Sequence, residues 1–357
     1  MASPLCIYHG NCADGFTAAW AVRKALGAGV EFVPGVYGHE PPPVAGRDVI
    51  MVDFSYKRPV LGTMAAEARS ILILDHHKTA AEDLAGFPTP DVDPDSNLWE
   101  EHLQCVYEGG YAGLPAVIFD MDRSGAQIAW DFFHPGKPRP VLVDYVADRD
   151  LWKFELPDSR AIAAWLFSHP YDFMEWTLLS QMLDTRDGFG RAGVQGYAIE
   201  RKHHKDVAEL VRVTLRDMVI GGYKVPVANL PYTMASDGAG LLAEGAPFAA
   251  SYFDRADARV FSLRSKPDGI DVSKIAAAYG GGGHQHAAGF QRPLGWAGDD
   301  CWPETSGMTN SLARALGDLI RFRNWEISEG GVTPPDLVNA WKDAERVISA
   351  WEEYLHG

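Results

Sequence analysis

The chain has 357 residues, with 48 acidic against 32 basic side chains and a formal net charge of −16. Its length supports two hydrophobic cores, and a hydrophobic share of 46% excludes a disordered chain. The charge excludes a long, sequence-independent grip on duplex DNA, which needs a broad basic surface, but not short oligonucleotides, because bound divalent cations reverse the local potential. Four cysteines (Cys6, Cys12, Cys105, Cys301) show no paired spacing. A reduced, cytoplasmic setting is therefore expected. No signal peptide or membrane-spanning run is read, and no internal repeat.

In chain order, Leu5 to Tyr8 reads as a first buried strand, followed by His9-Gly10-Asn11-Cys12-Ala13-Asp14-Gly15. A helix then starts near Phe16, with Asp14 expected as its cap. Glu31 to Tyr37 is a short second strand, and Pro41-Pro42-Pro43 a surface turn. The strand Val49 to Val52 ends in Asp53 and leads to a helix over Pro59 to Ala68. The apolar run Ile71 to Leu74 suits a fully buried strand. It emits Asp75-His76-His77, a carboxylate and two imidazoles suited to Mn, Fe, Co or Zn. Strand alternation predicts Asp75 and His77 on one side and His76 on the other. Three apolar strands thus end in acid or imidazole, as at the ligand crevice of an open parallel sheet.

Residues Asp83 to Asn97 read as a loop, and Ala116 to Asp120 as another strand. Ser124 is placed to cap the next helix. The helical pattern from Pro140 to Asp150 offers Asp144, Asp148 and Asp150. Helices follow to about Leu183, carrying Trp152, Phe154, Trp165, Phe167 and Trp176. At helical spacing such aromatics are core first and base-stacking surfaces second. A long helix over Gly193 to Ile220, with a solvated charge run at Arg201 to Lys205, reads as a linker. Tyr223 to Asn229, Phe248 to Phe253 and Arg259 to Ser265 are strands, and Ile270 to Tyr279 a helix. It runs into Gly280 to Gly283 and then His284-Gln285-His286. Such a glycine run lets backbone amides approach a phosphate, and a following helix N-terminus would add positive charge. Further on, Gly298 to Gly307 reads as a loop, with two amphipathic helices over Asn310 to Ile320 and Asp336 to Tyr354.

The tripeptide Asp75-His76-His77, with His9 to Ala19 before it, Asp53 between and Asp148 after, resembles the motif series of the DHH phosphoesterase superfamily. Gly280 to Phe290 resembles the signature of the DHH-associated domain, and the likeness extends over roughly the first 295 residues. The nano-RNase and single-strand exonuclease branch is the nearest in character. Many relatives carry Asp-x-Asp in the first motif, where this chain has Cys12. That leaves one metal site a carboxylate short, or filled by Cys12 or His9, while the plain reading of Cys12 is a small buried residue under the helix.

The expected architecture is an α/β protein. A doubly wound, mostly parallel sheet domain (1–190) is joined by a helical linker (191–222) to a smaller α/β domain (223–295), with a helical appendage (296–357). The resemblance implies two divalent metal ions, manganese first, with magnesium or cobalt as alternatives. His9, Asp14 and Asp53 would hold one, and Asp53, Asp75, His77 and Asp148 the other, with Asp150 the runner-up to Asp148. His76 is expected to contact phosphate or to protonate the leaving group, alongside Asp75. By the same resemblance Arg264, Gly282, Gly283, His284 and, less directly, His286 bind substrate. The implied reaction is phosphodiester hydrolysis of short or single-stranded oligonucleotides, releasing mononucleotides. Alternatives are cyclic dinucleotides, nucleoside bisphosphates, pyrophosphate or polyphosphate as substrates, or a degenerate nucleotide-binding domain without turnover. No membrane partner is expected, and a homodimer is an open option for the appendage.

Overall fold

The computed structural model describes residues 3–90 and 96–299. The amino-terminal part is an alternating α/β array. Strands β1 (Leu5–His9), β2 (Glu31–Gly35), β3 (Asp48–Val52), β4 (Ser70–Asp75) and β5 (Ala116–Phe119) form one sheet of order β2-β1-β3-β4-β5. All four pairings in it are parallel. The connection from β1 runs outward to β2 and the chain then returns to the other side of β1 with β3, so the strand order reverses between β1 and β3. In such a sheet the crevice for a ligand opens at that reversal, and the carboxyl ends of β1, β3 and β4 lie side by side there. Strands β3 and β4 are buried along their whole length, as expected for parallel strands covered on both faces.

Helix α1 (Ala13–Leu26) and α5 (Gly125–Phe133) lie on one face with α6 (Val141–Asp150). Their side chains share a core with Ile50, Val52, Leu72 and Leu74. The opposite face packs Leu5, Ile7, Met51 and Ile73 against Leu61 and Met64 of α2 (Arg58–Glu67). Short α3 (Lys78–Asp83) follows β4, and α4 (Leu98–Tyr107) precedes β5. Neither helix was anticipated, because six residues of α3 carry no usable period and α4 sits directly behind an Asp- and Pro-rich stretch. Ser124 caps α5 in a reciprocal capping box with Gln127.

Helices α7 (Ser159–Leu166), α8 (Phe173–Leu183) and the long α9 (Arg186–Thr214) come next. The aromatic run divides. Trp165 and Trp176 are core, whereas Trp152 and Phe167 are about two-fifths exposed. The expected linker helix starts earlier and ends sooner than its reading. Residues Arg216–Ile220 are strand β6, with Met218 and Ile220 buried in alternation. Their apolar spacing continues that of α9, which hid the change of period.

The second sheet is mixed, of order β10-β11-β9-β8-β7-β6. It contains β7 (Tyr223–Asn229), β8 (Ala249–Asp254), β9 (Arg259–Arg264), β10 (Gly282–His284) and β11 (Ala287–Arg292). Helix α10 (Ala235–Leu242) lies between β7 and β8, and α11 (Val272–Ala278) leads to the glycine run. No helix follows those glycines. They enter the antiparallel β10–β11 hairpin, with His284 opposite Ala287. A Cβ on Gly281 would meet Gly289 O at 2.0 Å, so close backbone pairing explains that glycine, and the expected helix-dipole contribution is absent.

Both sheets, apart from the end of β6 and the first residue of β7, belong to one compact unit, Met1–Met218 with Lys224–Ala297. Val219–Tyr223 is grouped with the residues after Ala297 in a second unit. Within it, Asp299 N donates to Val219 O at 2.8 Å and Asp299 Oδ2 accepts from Gly221 N at 2.9 Å. The loop and helices expected beyond residue 300 lie outside the described residues.

Candidate metal centre

Asp53 stands at the middle of the crevice. It follows β3 directly, is 1% exposed, and adopts a left-handed backbone with φ 53°. Asp and Asn tolerate that region better than other side chains. This turn aims its carboxylate along the sheet edge, where three imidazoles meet it. His9 Nδ1 lies 3.3 Å from Oδ2, while His76 Nε2 is 3.1 Å and His77 Nδ1 3.8 Å from Oδ1. His76 and His77 are therefore not divided between two sides as alternation predicted. β4 ends at Asp75, the pleat stops there, and the two rings lie 4.9 Å apart.

Asp14 is not the helix cap. Cys12 occupies that position, and Asp14 in the first turn is fully buried, its Oδ1 accepting from Ala126 N at 3.1 Å. The amino end of α5 thus meets an internal carboxylate, a favourable arrangement for the helix dipole. Gly125 makes room for it: a Cβ there would lie 2.5 Å from Asp53 Cβ and 2.9 Å from Asp14 Oδ2. Asp75, also fully buried, accepts at Oδ1 from His77 Nδ1 (2.7 Å) and from His76 N (2.7 Å).

Of the two aspartates at the end of α6, the cluster takes Asp150. Its Oδ2 is 3.4 Å from His76 Nε2. Asp148 faces its own chain, accepting from Glu155 N (3.0 Å), Leu156 N (3.3 Å) and the Ser159 hydroxyl. The chain after α6 folds back through left-handed residues at Trp152, Phe154 and Asp158, which wraps those donors around Asp148. Cys12 does not join any of the metal-competent groupings among the described residues, which are Asp14–Asp53–His76, His9–Asp53–His77 and His76–His77–His284.

The electrostatics follow from this crowding. Burial and the charges of Asp150 and Asp53 raise the Asp14 carboxyl well above the usual carboxylate range. Burial likewise raises Asp150, with Asp53 adding to the effect against His76. Burial also acts to raise Asp53, but hydrogen bonds from His76 and His9 outweigh it and hold it well below that range. Burial opposes protonation of His76, yet the Asp53 hydrogen bond and the Asp150, Asp53 and Asp14 charges prevail and lift it to about 10. Enclosure, then the Asp53, Asp150 and Asp14 charges, push the Cys12 thiol up, so it is a protonated neighbour rather than a thiolate.

Four acids in one buried crevice exceed what its imidazoles neutralise. Asp14 Oδ2 and Asp75 Oδ2 are both buried without a hydrogen-bond partner, an expensive state for carboxylate oxygens. Oxygen and imidazole donors arranged in this way fit divalent cations of the Mn, Fe, Co or Zn type.

The second sheet closes over this centre. His284 stacks on His77 at 4.7 Å and tilts against His76 at 4.6 Å. Burial, then the His77 and His76 charges, drive it down to about 2, so it is a neutral ring. Arg264 donates to Ser262 Oγ (3.1 Å), Leu263 O (2.7 Å) and Ser236 Oγ (2.6 Å). Gly282 and Gly283 lie against α3, where Gly283 N donates to Thr79 Oγ1 at 3.0 Å; that amide is committed to this chain. His286 turns aside to Ser265 Oγ at 2.9 Å. Ser124 to Ala126 reads from sequence as a plain helix start first and an anion-facing N-terminus second, and the structure puts the Ala126 amide on the Asp14 carboxylate. Sequence reasoning missed Arg149. It neither ends an apolar strand nor carries a signature, and it lies in the last turn of α6.

No family model matches the chain. It is 27% identical over 308 residues to the uncharacterized protein R106 of Acanthamoeba polyphaga mimivirus, an alignment covering 80% of this chain and 66% of that protein. Among solved structures, the DHH domain of a protein described as belonging to a family of ribosomal proteins is 14% identical, TM-score 0.42, over 81% of this chain and 82% of its own. A pGpG-specific phosphodiesterase from Vibrio cholerae is 14% identical, TM-score 0.37, over 82% and 94%. An exopolyphosphatase-related protein from Bacteroides fragilis is 12% identical, TM-score 0.39, over 83% and 88%.

Proposed function

We propose that the protein is a metal-dependent phosphoesterase that hydrolyses the phosphodiester bonds of short or single-stranded oligonucleotides from an end, releasing mononucleotides. The observation that carries this reading is the crevice at the strand-order reversal. There Asp14, Asp53, Asp75 and Asp150 converge with His9, His76 and His77, and two buried carboxylate oxygens lack partners. Asp14, Asp53, His76 and Asp150 would hold one divalent cation and His9, Asp53, Asp75 and His77 a second, manganese being the first candidate. Such cations, when bound, would activate water for attack and offset charge on the phosphoryl oxygens.

The chain's own residues do the rest. Asp53 reaches both halves of the centre, and its left-handed backbone fixes its direction before any ligand arrives. His9 and His76 orient that carboxylate from opposite sides by their hydrogen bonds. Neutral His284 packs over His76 and His77 and excludes water from the imidazole side. Arg264, whose charge is felt by His284, is a guanidinium suited to a phosphoryl oxygen pair. The closed arrangement of hairpin and crevice positions an ester while withholding bulk solvent.

The test is turnover in Mn²⁺ of a labelled single-stranded RNA and DNA, a cyclic dinucleotide, adenosine 3′,5′-bisphosphate and pyrophosphate. Stepwise mononucleotide release, reduced by at least about a thousandfold in Asp53→Asn, is the expected outcome for a residue at the reacting centre. Hydrolysis of pyrophosphate alone would move the assignment to phosphoanhydrides. Silence across the panel, with substoichiometric metal after loading, would leave a nucleotide-binding domain.

A further inference from the structure

We propose that Arg149 is a second phosphate-binding guanidinium, which with Arg264 grips a phosphoryl group adjoining the one cleaved. This inference rests on the phosphodiesterase reading above and narrows its substrate to esters carrying at least two phosphoryl groups.

Arg149 sits in the last turn of α6, one residue before Asp150, whose carboxylate is part of the centre. Its guanidinium crosses to the second sheet's layer, where Nη2 reaches Asp237 Oδ2 at 3.4 Å. Arg264 Nη2 reaches Ser236 Oγ at 2.6 Å. Ser236 and Asp237 are consecutive residues in the first turn of α10, so one helical turn holds both guanidiniums side by side. Arg149 also lies among aromatic rings: its Cζ is 4.2 Å from the centroid of Trp152, with Phe154 and Phe167 at 5.6 and 5.9 Å. Trp152 takes that place through its left-handed backbone, φ 57°.

The charges at this spot do not balance. Asp237 is shared with His203, whose Nε2 lies 2.9 Å away, while Asp150 is engaged by His76. Two guanidiniums therefore confront one divided carboxylate. Burial and then the charge of Arg149 bring Arg264 down to about 10, and burial lowers Arg149 also. Among the described residues the Asp237 contact is the one side-chain hydrogen bond of Arg149, out of five N–H donors. The Arg149 side chain is 19% exposed, so its remaining donors are open to solvent or to an anion. Two neighbouring guanidiniums, of which Arg149 keeps open donors, beside a proposed hydrolytic centre match the planar oxygen array of a phosphoryl group. Its place next to Asp150 makes it the neighbour of the cleaved ester and not the site of cleavage.

The experiment compares the dinucleotides pApA, with a 5′-phosphate, and ApA, without one, on wild type, Arg149→Gln and Arg149→Lys. Turnover is measured in Mn²⁺ and equilibrium binding in Ca²⁺. Wild type is expected to favour pApA at least about tenfold, the worth of one charge-assisted pair. Arg149→Gln should lose that preference, mainly in KM, and Arg149→Lys should recover part of it. Equal handling of the two dinucleotides by wild type, or a preference that survives in Arg149→Gln, overturns the assignment. If wild type turns over neither dinucleotide but still binds pApA preferentially and loses this on Arg149→Gln, the proposed reaction fails while the anion site stands.

Discussion

Both ring nitrogens of His102 are buried without a hydrogen-bond partner, and the ring is stacked between Trp99 and Tyr111 at 5.5 and 5.6 Å. Burial drives its pKa from 6.5 to about 4. The unfolded chain therefore binds a proton that the folded one refuses between those values, so the contribution is intact above pH 6.5 and lost as pH falls toward 4. Linkage puts the loss at about 3 kcal/mol. Urea titrations at pH 7, 5.5 and 4 should show His102→Phe losing less stability than wild type over that window; parallel curves would contradict it. At this scale much of the centre was legible. His9, Asp53 and Asp75 to His77 terminate apolar strands, and a buried strand has few reasons to end that way. The choice between Asp148 and Asp150 was not legible. It depends on the fold-back that delivers Glu155 N, Leu156 N and Ser159 to Asp148, set by backbone conformations that an apolar pattern does not record.

The contact between α3 and the β10–β11 hairpin is the element that joins the two sheets over the centre. Lys78 Nζ pairs with Asp271 at 2.6 Å, and Thr79 Oγ1 accepts from Gly283 N. A Cβ on Gly282 would lie 2.5 Å from Thr79 Oγ1, inside contact distance. Gly282→Ala is expected to lift the hairpin and raise KM about tenfold or more, since small displacements of positioning groups are costly. Thr79→Ala in the same chain should restore part of it by removing the obstructing hydroxyl. An unchanged KM in the single variant would show that the hairpin does not act in binding. The glycine run was readable as a signature, but its conformation was not: a stretch with so little side chain carries no period, and the pairing partner that makes it a hairpin is supplied by β11. The β6 strand was lost for the opposite reason, an apolar spacing that α9 and β6 both satisfy.

For the molecule as a whole, the net charge of −16 confines attraction for a polyanion to the neighbourhood of the centre. Lengthening a single strand from about five to about twenty nucleotides should tighten binding less than about threefold, because the added phosphates meet no broad basic surface. A steep gain with length would reveal an unrecognised cationic track. No helix among the described residues is long and apolar enough to cross a membrane. The centre draws its side chains from His9 to His284, and that separation bears on biosynthesis. His9 through Asp150 emerge from the ribosome well before His284, and native pairing at such long range is slow. The acidic crevice therefore exists for a time without the hairpin that covers it, which is when ion uptake is easiest. Once His284 stacks on His76 and His77, exchange requires the hairpin to lift. On the proposed function, a manganese-loaded wild-type protein should accordingly surrender its metal to EDTA more slowly than Gly282→Ala does, and a cation taken up during synthesis would then be largely the one retained.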